Sequence, residues 1–468
     1  MQRQSLKNNR GVMLILVIVF TGIFLLILTA MIGLVLTQRK LSNVEIAKVK
    51  ALHIAEAGID YYRWHLAHDP DDYQDGTNGP GPYEHAYSDP ESGTIGTFSL
   101  EITPPATGTT IVTIKSTGWV NEYPNVKKTI EARYGKPSLT RFSFLTNSDV
   151  WFGSNENVSG EMHSNGGIRM DGTNDSLITS AKETYTCTKS FGCSSSGETK
   201  PGVWGAGPNS DLWKYPVPEI DFNSFTLDLS NLKQQAQSAG HYYSTQGYGY
   251  HIIFKSDGTY DIYSVTSLNP SISQISGDDF KTCIYGQEQI NSESLIGNYS
   301  LPSNNVIFVE DDLWIEGTVK GNVTVAAARF PDNPSTNSNI FINNNLIYSA
   351  RDGTNSLGLI AQKNIIVPRH APSNLTIDAA MLAQKGRVYR PYYCSSPLVQ
   401  NNIEIYGGII SNKTWTWTWV DSNDNVIDGY QTTKTIYDND IKFSPPPYFP
   451  TEKEYQLISW EELPDSTN

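Results

Sequence analysis

The stretch from Gly11 to Leu66 constrains this chain more than any other part of it. A short basic leader ends at Arg10, and an uncharged, mostly apolar run occupies Val12–Leu36. An amphipathic segment, Gln38–Leu66, follows with no proline between them. As a helix the apolar run rises about 38 Å at 1.5 Å per residue, enough to cross a bilayer core of about 30 Å with some tilt. A chain with this segment is expected to enter a membrane.

Two features argue against an ordinary secretory signal peptide. The apolar run exceeds an h-region of about 7–15 residues, and no small-residue cleavage site follows it. Arg3, Lys7 and Arg10 hold that end in the cytoplasm by the positive-inside rule and send the rest outward. Arg39 and Lys40 weaken this asymmetry without reversing it, and an uncleaved anchor stays open. Beyond the run, Leu41, Val44, Ala51, Ala55, Ile59, Tyr62 and Leu66 recur at helical spacing on one face. The first proline is Pro70, so one helix of about 55 residues, roughly 80 Å, is allowed.

Such a helix, half for lipid and half for a globular head, resembles the N-terminal spine of type IV pilins. The opening Arg10-Gly11-Val12-Met13-Leu14-Ile15-Leu16 and the later Ala55-Glu56-Ala57-Gly58 are similar to PilX-type minor pilins. The resemblance implies that a prepilin peptidase cuts after Gly11 and that the mature chain begins at Val12. It implies other pilins, the pilus assembly platform and inner-membrane lipid as partners, with the head outside the cytoplasm. Most pilins carry a glutamate at the fifth mature position, where it pairs with the N-terminal amine of a neighbouring subunit. This chain has Leu16 there, and its first acidic residue is Glu45. A carboxylate in lipid is justified only by a partner cation, so its absence suits a minor or tip subunit.

With 468 residues the chain is long enough for two or three domains. Its net charge of −14 disfavours nucleic acid as a partner, since phosphate neutralisation needs clustered Lys and Arg. Cys187 and Cys193 bracket a short loop and form a candidate disulfide in an oxidising compartment. Their spacing is not C-x-x-C and no histidine pair joins them, which argues against zinc. Whether Cys283 and Cys394 pair is left open by the sequence.

The expected fold class is α+β. After the leader (1–11) and spine helix (12–68), residues 69–136 are expected to form a small antiparallel sheet. Its strands are read at Thr97–Thr103, Thr109–Thr117 and Lys127–Tyr134, after a Pro/Gly/Asp-rich loop, Asp69–Gly96. A turn is read at Ser116-Thr117-Gly118. Residues 137–443 read as a mainly-β domain. There Asn precedes an aliphatic residue at Asn305, Asn322, Asn339, Asn345, Asn364, Asn374 and Asn402. Short strands punctuated this way suit a parallel β-helix, with an antiparallel sandwich as the alternative. An α/β insertion is expected at 221–300, with a helix at Asn231–Ala239 capped by Ser230 and a hairpin around Ser256-Asp257-Gly258. The tail, 444–468, contains Pro445-Pro446-Pro447 and is expected to lie on the surface.

Little in the chain points to catalysis. No H-E-x-x-H, G-x-S-x-G or phosphate-binding loop occurs, so no catalytic residue, cofactor or metal is assigned and the protein is expected not to be an enzyme. His163 reads as a turn residue capping a rung. Glu310-Asp311-Asp312 reads as a solvated turn rather than a glycosidase pair, which needs two separated carboxyls. Asp421–Asn425 lacks the glycine and distal glutamate of a calcium loop. In Thr414-Trp415-Thr416-Trp417-Thr418-Trp419, strand alternation puts Trp415, Trp417 and Trp419 on one face. That face either packs in a core or forms an aromatic strip gripping a surface glycan, another environmental ligand or a partner subunit. The expected function is that of a filament subunit serving assembly priming or adhesion, with a membrane-anchored scaffold or adhesin as the alternative and a polysaccharide-acting β-helix enzyme, motivated only by His163 and Asp312, as the third and least supported reading.

Overall fold

The computed structural model describes residues 10–90, 93–106, 109–154, 156–222, 225–275, 282–394, 399–421, 425–442, 444–452 and 454–464. The chain divides into two compact units. The first comprises Met1–Pro104, Val112–Tyr134 and Tyr455–Asn468, the second Pro105–Ile111 and Gly135–Glu454.

In the first unit, helix α1 (Arg10–His68) runs 59 residues without a break, about 90 Å at 1.5 Å per residue. Strands β1 (Tyr83–Asp89), β2 (Gly93–Thr103), β3 (Ile111–Val120) and β4 (Lys127–Gly135) form a sheet in chain order, with Gln456–Leu463 as its fifth strand. β1 and β2 pair antiparallel, as do β2 and β3. The buried alternation of β3 places Val112, Ile114, Ser116 and Gly118 on one face. That face packs on Ala47, Ile54, Ala55, Ile59, Tyr62 and Leu66 of α1. The predicted helical face is thus the packed one from Ala47 onward, whereas Leu41 is exposed.

Two glycines set the separation of helix and sheet. A Cβ on Gly58 would lie 2.2 Å from Ser116 Oγ, and a Cβ on Gly118 would lie 2.3 Å from the Ala51 carbonyl oxygen. The Ala55-Glu56-Ala57-Gly58 phrase is therefore a packing device: small residues let α1 lie directly on β3. Ser116-Thr117-Gly118 is not a turn but the middle of β3, where these small residues receive the helix.

Two further expectations change here. Tyr83–Asp89 lies within the predicted loop yet forms an edge strand, because its buried Tyr83 and register with β2 outweigh its turn-like composition. Part of the predicted tail, Gln456–Leu463, is a sheet strand of this unit. The polyproline segment remains outside any strand, as proline chemistry requires.

The second unit is mainly β and dominated by parallel pairing. One ladder connects His241–Tyr243, Val306–Val309, Asn322–Ala327, Ser356–Ala361, Asn374–Ala383 and the end of Val399–Ser411. It continues into Phe142–Thr146, Glu161–Ser164 and Ile178–Ser180. Its register aligns Ile307, Val325, Leu359, Met381, Ile409, Phe144, Met162 and Ile178 in one column, all within a single apolar core. The opposite face of the same ladder is also covered. Phe308, Ala326, Ile360, Leu382, Ile410 and Leu145 pack under helix α2 (Phe225–Ser238) and under Phe449. Burial on both faces explains why these strands read as near-continuous apolar runs rather than alternating ones.

A second ladder joins Tyr250–Phe254, Leu313–Val319, Ile340–Tyr348, Ile365–Ile366 and Val388–Tyr389. The Asn-aliphatic pairs at Asn305, Asn322, Asn339, Asn364 and Asn374 mark strand starts, whereas those at Asn345 and Asn402 fall inside strands. Asn364 Nδ2 donates to Asn339 Oδ1 at 3.0 Å between neighbouring strands of the ladder. Within the region read as an insertion, α2 begins at Phe225 rather than after Ser230, and the hairpin forms between Tyr250–Phe254 and Thr259–Leu268. His241–Tyr243 and Tyr250–Phe254 also join the parallel ladders, which local turn signals did not disclose. The unit's ends meet: Leu139 N donates to Pro450 O at 3.0 Å and Glu452 N to Pro137 O at 2.8 Å.

The glycine contacts give a direct test. Gly118→Ala is expected to destabilise the first unit by about 1–3 kcal/mol through overpacking against backbone. Gly153→Ala, whose added Cβ meets nothing within 4 Å, is expected to shift stability by less than about 0.5 kcal/mol. Thermal denaturation of the two variants checks both.

Candidate functional site

The most distinctive surface belongs to α1. Every large apolar side chain from Met13 to Leu36 is between 41% and 74% exposed, in a segment with a window of mean hydropathy 3.0. Its few hydroxyls are satisfied internally: Thr21 Oγ1 donates to Val17 O at 2.7 Å and Thr37 Oγ1 to Gly33 O at 2.9 Å. That is the condition a helix meets in lipid, where backbone and side-chain polar groups must find partners within the protein. Gly11 and Val12 lie in the first turn of α1, and the preceding leader lies outside the described residues. Leu16 projects from the exposed apolar surface.

The cysteines form two disulfides. Cys187 and Cys193 have Cα atoms 5.8 Å apart and close a hairpin end. Cys283 and Cys394, left open by the sequence, are also bonded, with Cα atoms 5.9 Å apart. Arg390, shortly before Cys394 in the chain, forms a fully buried pair with Asp428. Arg390 Nη1 donates to Pro368 O at 2.8 Å, and Asp428 accepts from the Tyr393 and Gly429 amides.

The tryptophan run does not make one flat strip. Thr416 forms an isolated bridge to Tyr389, the chain bends at Trp417, and a short strand, Thr418–Val420, follows. The alternation that would align the three indoles is thereby broken. Trp415 stacks on Phe144 at 4.7 Å between ring centroids and approaches Phe152 at 5.6 Å. Trp417 is 6% exposed, within the core. Trp419 points elsewhere, donating from Nε1 to Arg390 O at 3.1 Å. Trp415 and Trp417 share the wall of a cleft of about 750 Å³ with Phe152, Glu156, Asn157 and Thr432. Glu156 is an exposed residue, and desolvation of its carboxyl pushes its pKa up to about 7, with the Gly153 backbone opposing the shift. Sequence reading missed Glu156, because nothing in its polar surroundings distinguishes it from any other turn.

The remaining polar candidates have structural partners. His163 sits in a strand, not a turn, between Leu145 and Thr179 on neighbouring strands. Its ring nitrogens lie 2.9 Å from Thr179 Oγ1 and Asn165 Oδ1, and burial lowers its pKa, favouring the neutral form. Asp311 is wholly buried, pairs with Arg329 and accepts from the Gly247 amide at 3.2 Å. Asp312 accepts from Asn339 N at 2.8 Å, and Glu310 pairs with Lys233. These acids are therefore not a solvated turn but anchors for neighbouring loops. Asn425 N donates to Asp421 Oδ1 at 2.9 Å, and 422–424 between them lie outside the described residues. Among the described residues no cluster of three or more His, Cys, Asp or Glu has a metal-holding arrangement.

His251 is buried between Glu293, 2.9 Å from Nδ1, and Glu316, 3.4 Å from Nε2. Burial alone would lower its pKa, but the two carboxylates outweigh burial and raise it.

No protein-family profile matches the chain, and no curated protein matches it. Among solved structures it is similar to the competence-associated pilin ComZ from Thermus thermophilus. Identity is 14% and the TM-score 0.31, with 89% of this chain and 97% of that one covered.

Two measurements follow from this chemistry. The Cys283–Cys394 link spans a sequence separation of 111 and the Cys187–Cys193 link one of 6. By chain entropy the first is worth about 4–5 kcal/mol and the second about 2 kcal/mol. Urea denaturation of the two double Cys→Ser variants is expected to keep that order. For His251, a raised folded-state pKa means stability fully present below about pH 6.5 and lost as pH rises through the higher folded value. Denaturation across this range is expected to show a flatter profile for His251→Gln.

Proposed function

We propose that this chain is a non-enzymatic, PilX-type minor pilin, stored in the cytoplasmic membrane by α1 and built into a type IV pilus-like filament at low copy. The observation that carries the reading is the division of α1. One continuous 59-residue helix is bare and apolar over its first part and packed on a sheet over its second. A plain anchor needs only the first part. A filament spine needs both, because the same apolar surface that is soluble in lipid can exchange it for apolar helices of neighbouring subunits.

The large second unit fits a tip or occasional subunit better than a repeating shaft, and we read its parallel stack as a β-helix. The column from Ile307 through Met381 to Ile178, together with buried faces on both sides of the ladder, supports that reading. Its role is assembly priming, attachment, or both. A second reading, an extracytoplasmic scaffold that stays in the membrane, is favoured by one residue: Leu16 lacks the carboxylate that would pair with a neighbour's amine.

The test is location after processing. The protein is expected to co-sediment with filaments sheared from cells, and its deletion to reduce piliation. Gly11→Ala is expected to leave it unprocessed, in the membrane fraction and absent from sheared filaments. Retention of the wild type in membranes, with filaments unaffected by deletion, would support the scaffold instead.

A further inference from the structure

The parallel stack of the second unit is interrupted on one side. Strand Val426–Tyr437 pairs in parallel with Val399–Ser411, and the short strand Asn157–Val158 pairs with Thr173–Asn174. Among the described residues no pairing joins Val426–Tyr437 to Asn157–Val158, although the first ladder passes through this level without a break from Ile409 to Phe144. The cleft of about 750 Å³ lies at this gap, bordered by residues of both strands. A volume of this size falls within the range of about 300–1,000 Å³ of small-molecule sites.

We propose that the cleft binds a neutral carbohydrate chain, a segment of oligosaccharide lying in the gap between the two strands. The walls have the required chemistry. The indoles of the partly buried Trp415 and the exposed Trp151 offer apolar surface for the C–H faces of pyranose rings, and the buried Trp417 and Phe152 complete the lining. Asn157 and Thr432 at the border provide the amide and hydroxyl groups that sugar hydroxyls need, as donors and acceptors together.

Three observations narrow the occupant. Trp417 is buried, and its Nε1 has no hydrogen-bond partner within the protein. A buried donor left unmade is costly, and a ligand hydroxyl supplies the missing acceptor. Glu156 borders the same space with its carboxyl held near neutrality, so it can donate to or accept from a hydroxyl. Among the described lining residues Lys434 is the one cation, and it is paired with Glu404 at 3.2 Å. A site for an anionic ligand would present an uncommitted cation, so the ligand is neutral. The proposal is independent of whether the chain enters a filament.

The full chain, in a detergent with no sugar headgroup, is titrated with maltohexaose, cellohexaose, laminarihexaose and chitohexaose, followed by tryptophan fluorescence and calorimetry. Saturable binding of at least one is expected. Trp415→Ala is expected to weaken it about tenfold, the loss of one stacking partner. Trp417→Phe keeps an aromatic side chain and removes the N–H; the cavity it leaves is expected to lower the thermal transition, and binding is expected to weaken several-fold at temperatures where the variant is folded. Glu156→Gln is expected to abolish the change in affinity that the wild type shows across neutral pH. Absence of saturable binding to all four probes at millimolar concentration overturns the proposal. So does binding that neither Trp417→Phe nor Glu156→Gln alters. If Trp415→Ala fails to fold, those two variants decide.

Discussion

An apolar helical surface with nothing over it is the constraint from which the rest of this molecule follows. From Met13 to Leu36 none of the described residues covers α1, and water is a poor solvent for that much hydrocarbon. Each Leu, Ile, Phe or Val there contributes about 0.3–0.6 kcal/mol towards membrane insertion. The same helix continues, without a proline or a kink-forming pair, into a half whose sheet-facing residues are exposed by only a few percent or less. Because the two halves are one rigid element, whatever solvates the first half also holds the sheet that packs on the second.

That sheet is completed in an unusual order. Four of its strands come directly after α1, and the fifth comes from Gln456–Leu463, after the entire second unit has been made. The second unit can be inserted in this way because its own ends are tied together by the Leu139–Pro450 and Glu452–Pro137 hydrogen bonds and by the Arg141–Glu452 ion pair. Insertion is tolerated where the inserted body's ends lie close together. Within it, the apolar stacking column and the two disulfides constrain the chain in different ways. The column acts through burial, and the Cys283–Cys394 link through the loop it closes.

How far all this was legible depended on the range of the interaction concerned. Helical periodicity is local, so α1 was readable down to Ala55 and Gly58, and antiparallel strands at Thr97–Thr103 and Lys127–Tyr134 carried their own turn signals. Most of the Asn-aliphatic pairs also marked real strand starts, those at Asn345 and Asn402 lying inside strands. What was missed is non-local. Tyr83–Asp89 is a strand only because β2 is there to receive it. Gln456–Leu463 needs a sheet assembled hundreds of residues earlier. Ser116-Thr117-Gly118 looked like a turn because its small residues serve a helix that composition alone does not place opposite them. The tryptophan run failed for a related reason. Period-2 alternation assumes a regular strand, and the bend at Trp417 sends Trp419 away from the cleft that Trp415 and Trp417 share.

The central claim is that α1 is a processed spine shared between membrane and filament, not a permanent anchor. Mass spectrometry of this protein recovered from sheared surface filaments tests it most directly. The account predicts an N-terminal peptide beginning at Val12, in filament material free of membrane marker proteins. An N-terminal peptide that still contains Met1–Gly11, or the protein's confinement to the membrane fraction, would contradict it.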